Sequence, residues 1–218
     1  MQIRERTKKL TVIAVLSALA FIVMLVGRIP MMSMPGLTLK YDPKDVVIII
    51  GGFLYGPLVS VAISFVVSFI EMIFASETGP IGMIMNIVSS CSFAFTAALI
   101  YKYKRTLNGA VIGLAAGAAL TAVVMVFWNY LITPLYMGFP RSVVVPYLMS
   151  FFLPFNLIKG IINAAVTIMI YKPVSRILRQ ITRDEPPAEE TKTVNNVAVI
   201  LIAVGVIYAC IIIINYIS

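Results

Sequence analysis

The chain has 218 residues, of which 61% are hydrophobic and only 12% are charged, and its mean hydropathy is +1.01. A soluble domain carries about a quarter charged residues, so this composition excludes a water-soluble globular fold. The apolar stretches are too long and too continuous for the alternating strands of about ten residues that build membrane barrels. An all-α membrane protein is therefore predicted, because helices satisfy their own backbone hydrogen bonds inside a bilayer.

Six apolar segments are predicted to form a six-helix bundle within residues 1–183, and they span 11–27, 46–54, 58–75, 83–101, 109–133 and 147–171. The second segment is too short to cross a bilayer, which takes about 20 residues. Its interruption at Gly51 and Gly52 is typical of a segment beside a transport site. After a basic stretch at the membrane surface, residues 184–195 form a polar, Pro-containing linker, and residues 196–218 are predicted to be an additional transmembrane helix.

The basic residues indicate the orientation of the chain in the membrane. If the six segments alternate in direction and the N-terminus is cytoplasmic, twelve of the 17 basic residues lie inside and four lie outside. This bias predicts a multi-pass protein of the cell membrane with residues 172–183 inside and, if the seventh segment spans, an extracellular C-terminus. The same placement explains the net charge of +8 without a nucleic-acid partner.

Polar side chains inside the predicted spans indicate a binding cavity. They are Glu71, Asn86, Asn129, Asn156, Lys159 and Asn163. In the predicted topology they lie in the outer half of the membrane or near its middle, which favours one cavity open to the outside. Lys159 is the most informative, because an ammonium at a helix centre costs about 2.5–3.5 kcal/mol. A ligand-binding role is favoured for it over an ion pair with Glu71, and each asparagine could instead join two helices.

Small residues at four-residue spacing predict close helix packing. Gly109, Gly113 and Gly117 are expected to pack inside the bundle, whereas Ala14 and Ala18 fit an internal or an external partner equally well. Several catalytic signatures are missing: there is no histidine, no phosphate-binding G-x4-G-K-[ST] loop and no metal-binding set. These absences argue against an enzyme, a metal site and a catalytic cofactor.

The order and spacing of several motifs resemble the riboflavin-specific S components (the RibU family) of energy-coupling-factor (ECF) transporters. The matching stretches are LKYDPKD at 39–45, GGFLYGP at 51–57, SETGPIG at 76–82 followed by an asparagine at 86, and FNLIKG at 155–160. The resemblance covers about residues 10–180. The additional segment 196–218 departs from it, because the family typically ends after six helices.

The resemblance implies a six-helix bundle whose pocket near the outer face is capped by the loop after the first helix. It implies riboflavin, or FMN, as the ligand, bound by Asn129, Asn156 and Lys159. With the polar residues and the capping loop, the predicted site comprises Leu39, Lys40, Tyr41, Glu71, Asn86, Asn129, Asn156 and Lys159. It also implies that Ala14 and Ala18 dock onto a transmembrane coupling subunit of the EcfT type, and that two ABC-type ATPase subunits complete the importer.

Three alternatives stay open at this point. The first is an S component for thiamine, biotin or folate; cationic thiamine would favour a carboxylate such as Glu71. The second is a standalone secondary carrier or channel, which the short second segment suits but the lack of a proton relay does not. The third, an integral-membrane enzyme, is disfavoured by the missing histidine and the few acidic residues.

Overall fold

A computed structural model describes residues 2–34, 36–76, 78–182 and 205. Its helices are α1 (Gln2–Gly27), α2 (Lys44–Tyr55), α3 (Pro57–Phe74), α4 (Gly79–Tyr103), α5 (Leu107–Met137), α6 (Arg141–Tyr147) and α7 (Leu153–Thr182). A π-helical turn, Leu148–Phe152, joins α6 to α7. Two strands, β1 (Ile29–Met34) and β2 (Leu37–Tyr41), lie between α1 and α2. The predicted linker and seventh helix lie outside the described residues, apart from Gly205.

Five helical stretches of the described chain are long and apolar enough to cross a membrane: Lys9–Gly27, Pro57–Phe74, Gly79–Tyr103, Leu107–Met137 and Arg141–Tyr171. They correspond to the five long segments predicted from the sequence. The last of them combines α6, the π-helical turn and most of α7. Pro146 accompanies this irregularity, since a proline removes a backbone donor and favours a local change of helix type.

Helix α2 has only 12 residues and lies among the longer helices. It packs against α1, α3, α4 and α7, and its residues Ile48 and Ile49 are fully buried. Ile63 and Val67 of α3 and Leu114 of α5 complete the same apolar core. A helix too short to reach both membrane surfaces is thus packed among the other helices.

The contact between α4 and α5 depends on glycine, as predicted from the four-residue spacing. A Cβ atom at Gly113 would lie 2.7 Å from the carbonyl oxygen of Ala97, and one at Gly117 would lie 2.7 Å from that of Phe93. Real Cβ contacts are essentially never that short, so any larger residue would force these two helices apart. The glycines therefore face inward and allow the two backbones to approach closely.

The hairpin of β1 and β2 is an element that the sequence did not predict. The strands pair antiparallel from Ile29 opposite Tyr41 to Met34 opposite Leu37, with an irregularity between Pro30 and Met32. Met32 is buried and belongs to an apolar cluster with Val144, Leu148, Phe151, Phe152 and Phe155. Residues on α6, the π-helical turn and α7 thus hold the hairpin against one end of the bundle.

Candidate functional site

A cavity of about 180 Å³ lies beneath the hairpin. Because successive helices run in opposite directions, the C-terminal ends of α1, α3 and α5 meet the N-terminal ends of α2 and α4 at this end of the bundle. Seven of the eight predicted binding residues line the cavity: Leu39, Lys40, Glu71, Asn86, Asn129, Asn156 and Lys159. The hairpin contributes the first two, and α3, α4, α5 and α7 contribute the others.

Tyr41 is the predicted binding residue that does not line this cavity. Its hydroxyl donates a 2.9 Å hydrogen bond to Oδ1 of Asn163, on the face of α7 that also carries Lys159. Burial and the nearby carboxylate of Asp45 raise the pKa of Tyr41, so the phenol stays protonated and keeps its donor. The role that this geometry gives Tyr41 is to join the end of the hairpin to α7.

Lys159 is buried, and its ammonium group lies between two carboxylates. Its Nζ is 3.2 Å from Oδ2 of Asp45 and 4.0 Å from Oδ1 of Asp42. The sequence had offered Glu71 as an ion-pair partner for Lys159, and that pairing is wrong, because Glu71 is bound to other cations. The signal that could have found Asp42 and Asp45 is the LKYDPKD motif, which carries both acids.

Glu71 is surrounded by donors. Its carboxylate forms ion pairs with Arg28 and with Lys44, which is fully buried. The side-chain amide of Asn86 donates a further hydrogen bond of 3.0 Å to Oε2. Arg28 also donates to the carbonyl oxygen of Ala75, which ties the end of α1 to the end of α3. These bonds satisfy Glu71 from within the protein, so its primary role here is to fix the cavity wall.

Four charged residues of this network were not predicted as part of the site: Arg28, Asp42, Lys44 and Asp45. In the topology predicted from the sequence, Arg28 and Lys44 lie in outer loops, and the second apolar segment begins only after Asp45. The structure places Asp45 in the first turn of α2, buried and bound by the hydroxyl of Ser90. With Glu71 and Lys159, the network holds three cationic and three anionic side chains.

The charge balance keeps the acid at the end of the hairpin ionised. Burial alone would raise the pKa of Asp42, but the ammonium groups of Lys159 and Lys44 and the guanidinium of Arg28 together lower it below its ordinary value. Asp42 is therefore a carboxylate near pH 7, which accepts hydrogen bonds and donates none.

Asn129 and Asn156 present amides to the cavity from two helices. Nδ2 of Asn129 donates to the carbonyl oxygen of Met125 at 2.7 Å, and Nδ2 of Asn156 donates to that of Phe152 at 2.8 Å. Thr133 donates a 3.0 Å hydrogen bond to Oδ1 of Asn129. Since each amide nitrogen has a second hydrogen, both side chains keep a donor beside a carbonyl oxygen. This pairing suits the polar edge of a heterocycle.

Ala14 and Ala18 lie far from these polar contacts, on α1. Both are exposed on the surface of the described protein, whereas Ser17 and Ala20 of the same helix are buried. The two alanines therefore do not pack against another helix of the described chain. Of the two possibilities left open by the sequence, the external one fits this arrangement.

Comparison with known proteins identifies the family. A family model described as "ECF transporter, substrate-specific component" matches residues 8–171. The chain is 31% identical to the riboflavin transporter RibU of Staphylococcus aureus over 183 residues, which are 81% of this chain and 95% of that protein. It is also 31% identical to the riboflavin transporter FmnP of Bacillus subtilis over 177 residues, covering 76% of this chain and 91% of that one.

A solved structure agrees with the sequence comparisons. It is described as "Structure and mechanism of the S component of a bacterial ECF transporter", and it shares 29% sequence identity with this chain. The two folds superpose with a TM-score of 0.67, over 80% of this chain and 99% of the other. By its sequence and by its fold, the chain belongs to the substrate-specific components, or S components, of ECF transporters.

Proposed function

We propose that this protein binds riboflavin in the cavity beneath the hairpin and is the substrate-capture subunit of an ATP-driven importer. The observation that carries the proposal is the convergence of three buried polar side chains, Asn129, Asn156 and Lys159, on one cavity. Amide and ammonium groups of this kind match the donors and acceptors of the flavin ring. The relatives named as riboflavin transporters supply the identity of the ligand.

Each predicted residue has a role in this proposal. Asn129, Asn156 and Lys159 hydrogen-bond the ring, and Leu39 and Lys40 cover it from the hairpin. Asn86 and Glu71 form the opposite wall, with Glu71 held by its own cations. Tyr41 acts indirectly, through its hydrogen bond to Asn163.

Riboflavin is favoured over its phosphate FMN by the charges around the cavity. Lys44 and Lys159 are already paired with carboxylates, so they offer no spare positive charge to a phosphate. Lys40 also lines the cavity and keeps FMN as a second candidate ligand. The expected order of affinity is riboflavin first and FMN second.

Transport requires other polypeptides in this proposal. Ala14 and Ala18 are small and exposed, which suits close docking of an EcfT-type transmembrane coupling subunit. Two ABC-type ATPases would supply the energy. The excess of basic residues on alternate loops supports a cytoplasmic N-terminus, which puts the cavity at the outer face of the membrane.

The test is a binding measurement on the purified protein. Trp128 is the single tryptophan of the sequence and directly precedes Asn129, so its fluorescence is a natural probe of the cavity. We expect the protein to carry bound flavin, visible as a yellow colour, and riboflavin to quench Trp128 saturably at submicromolar concentration. Saturation only above micromolar riboflavin, or tighter binding of thiamine, biotin or folate, would contradict the proposed ligand.

A transport assay separates the subunit from a standalone carrier. Vesicles that contain this chain alone are expected to bind riboflavin but not to accumulate it. Accumulation without ATPase subunits would instead favour the secondary carrier or channel considered above.

A further inference from the structure

Asp42 is a wall residue of the cavity that no motif or comparison assigns to the ligand. It follows β2 directly and precedes α2, so it lies where the hairpin joins the bundle. It lines the cavity, and only 5% of its surface is exposed. Its Oδ1 atom is sealed from solvent and has no hydrogen-bond partner among the described residues, and no described residue donates a hydrogen bond to its Oδ2 atom. A buried carboxylate oxygen of this kind normally has a donor, so its missing partner calls for an explanation.

The neighbouring cations balance the charge of Asp42 but do not form hydrogen bonds with its carboxylate. Nζ of Lys159 is 4.0 Å from Oδ1, which is too long for a hydrogen bond, and it lies closer to Asp45, at 3.2 Å. Nζ of Lys44 is 3.8 Å from the other oxygen of Asp42 and is bound to Glu71. The protein therefore keeps Asp42 ionised while leaving Oδ2, the oxygen that is not sealed from the cavity, without a donor.

We propose that Asp42 is a ligand-binding residue, and that its Oδ2 accepts a hydrogen bond from a neutral N–H or O–H group of the molecule in the cavity. Lys159 beside it donates to an acceptor of the same molecule. The two groups together select a ligand that carries a donor next to an acceptor. This inference rests on the proposed function, in which that ligand is riboflavin.

Riboflavin has two groups with this chemistry. One is the imide N–H of the ring, which lies between two carbonyl groups. The other is the ribityl chain, in which each hydroxyl both donates and accepts. Two analogues separate them: 3-methylriboflavin lacks the imide donor, and lumiflavin has a methyl group in place of the ribityl chain.

The experiment measures the affinities of riboflavin and both analogues for the unaltered protein and for Asp42→Asn and Asp42→Ala. The readout is the preference for riboflavin over each analogue. In one of the two comparisons, Asp42→Ala should reduce this preference by about 10- to 100-fold, because a hydrogen bond to a charged group is lost. Asp42→Asn should give an intermediate value, since it keeps the shape and a neutral acceptor.

Asp45→Asn is the matched control. It removes an equally buried carboxylate from the same lysine, but Asp45 does not line the cavity. It is expected to weaken all three flavins by a similar factor and to keep both preferences. Thermal unfolding verifies that each variant is folded. If Asp42→Ala does not fold, Asp42→Asn supplies the measurement.

Two results would overturn the inference. Both preferences could survive in folded Asp42→Ala, or in Asp42→Asn where Asp42→Ala does not fold. Asp45→Asn could reduce them as strongly, which would mean that Asp42 acts only through Lys159. Failure of the unaltered protein to bind riboflavin is a different outcome, and it would overturn the proposed function as well.

Discussion

The role of the buried charge of Lys159 can be understood only together with its ion-pair partners. Moving an ammonium group and a carboxylate out of water costs several kcal/mol for each ion, and close pairing recovers this cost only in good geometry. The ion pair of Lys159 with Asp45 is further stabilised by hydrogen bonds, because Ser90 and Asn163 both donate to Asp45. The ammonium of Lys159 is thus fixed in position by the protein, which in the proposed site would lower the entropy lost on binding.

The role of Lys159 in folding and its proposed role in binding are separable by mutation. Lys159→Met leaves Asp45 without its closest cation, so we expect a loss of about 3–5 kcal/mol in stability together with loss of riboflavin binding. The double variant Asp45→Asn/Lys159→Met removes both charges and should recover much of the stability. It should not recover binding, since the donor to the ligand is gone.

Thermal unfolding and riboflavin titration of the same preparations measure the two effects. If the double variant regains affinity together with its melting temperature, Lys159 is structural and does not contact the ligand.

The pH dependence follows from the lowered pKa of Asp42. A carboxyl group whose pKa is lower in the folded state contributes stability above its unfolded pKa, near 4, and loses it as the pH falls through the folded value. The chain has no histidine, so no ordinary side-chain titration falls between about pH 5 and 8. We expect the affinity for riboflavin to be constant over that range and to decline only below about pH 4. A tenfold decrease between pH 7 and pH 5 would show that a cavity acid is protonated there.

Among the elements, the long helices were predictable and the hairpin was not. Continuous apolar runs identify a span by length alone. Helix α3 is shifted by one residue from its predicted bounds, and α4 and α5 are extended by two to four residues at each end. The second strand, Leu37–Tyr41, does alternate apolar and polar residues, but the first strand does not, because Met31 and Met32 are both buried and Pro30 interrupts the pairing. Their strand structure depends on packing against α6 and the π-helical turn.

The part of the candidate site that could be predicted consists of polar and charged residues that interrupt apolar runs of the sequence. Asn129, Asn156 and Lys159 are conspicuous in such runs, and the structure brings them to one cavity. Lys44 and Asp45 stand at the start of α2, where charged residues look like loop residues in the sequence. Only the tertiary fold, which buries that first turn beside α3, α4 and α7, reveals them as part of the network.

The proposed contact between the hairpin and the ligand can be tested at the turn of the hairpin. Gly36 has a φ angle of 81°, and a Cβ atom added to it would come no closer than 3.4 Å to its nearest neighbour, Cε of Met137. Gly36→Ala should therefore add about 1–2 kcal/mol of backbone strain without a clash. We expect the strained hairpin to open more often, so that riboflavin dissociates about 5- to 30-fold faster.

Gly138 provides the matched control for this substitution. Its φ angle is 67°, it has open space around it, and it follows the last residue of α5 outside the cavity. Gly138→Ala should cause similar strain but leave the dissociation rate, measured by stopped-flow fluorescence, unchanged. Equal acceleration in both variants would mean that general destabilisation, and not the hairpin, governs release.

On the scale of the whole molecule, the cavity and the predicted docking surface occupy different parts of the same helix. Ala14 and Ala18 lie in the middle of α1, whereas Arg28, directly after its last residue, lines the cavity and binds Glu71. A change at the alanines therefore leaves every described cavity contact in place. Binding and delivery of the ligand are separable in such an arrangement.

The last prediction uses this separation. Replacing Ala14 and Ala18 with tryptophan should leave riboflavin affinity within about twofold and abolish uptake, because bulky side chains prevent close helix contact with a coupling subunit. Val123→Trp is the control, since Val123 is equally exposed on the membrane surface of α5. Uptake of labelled riboflavin by cells that express the full importer, together with titration of each purified variant, measures both properties. Normal uptake by the alanine variant would place the docking surface elsewhere, and lost uptake by the Val123 variant would point to α5.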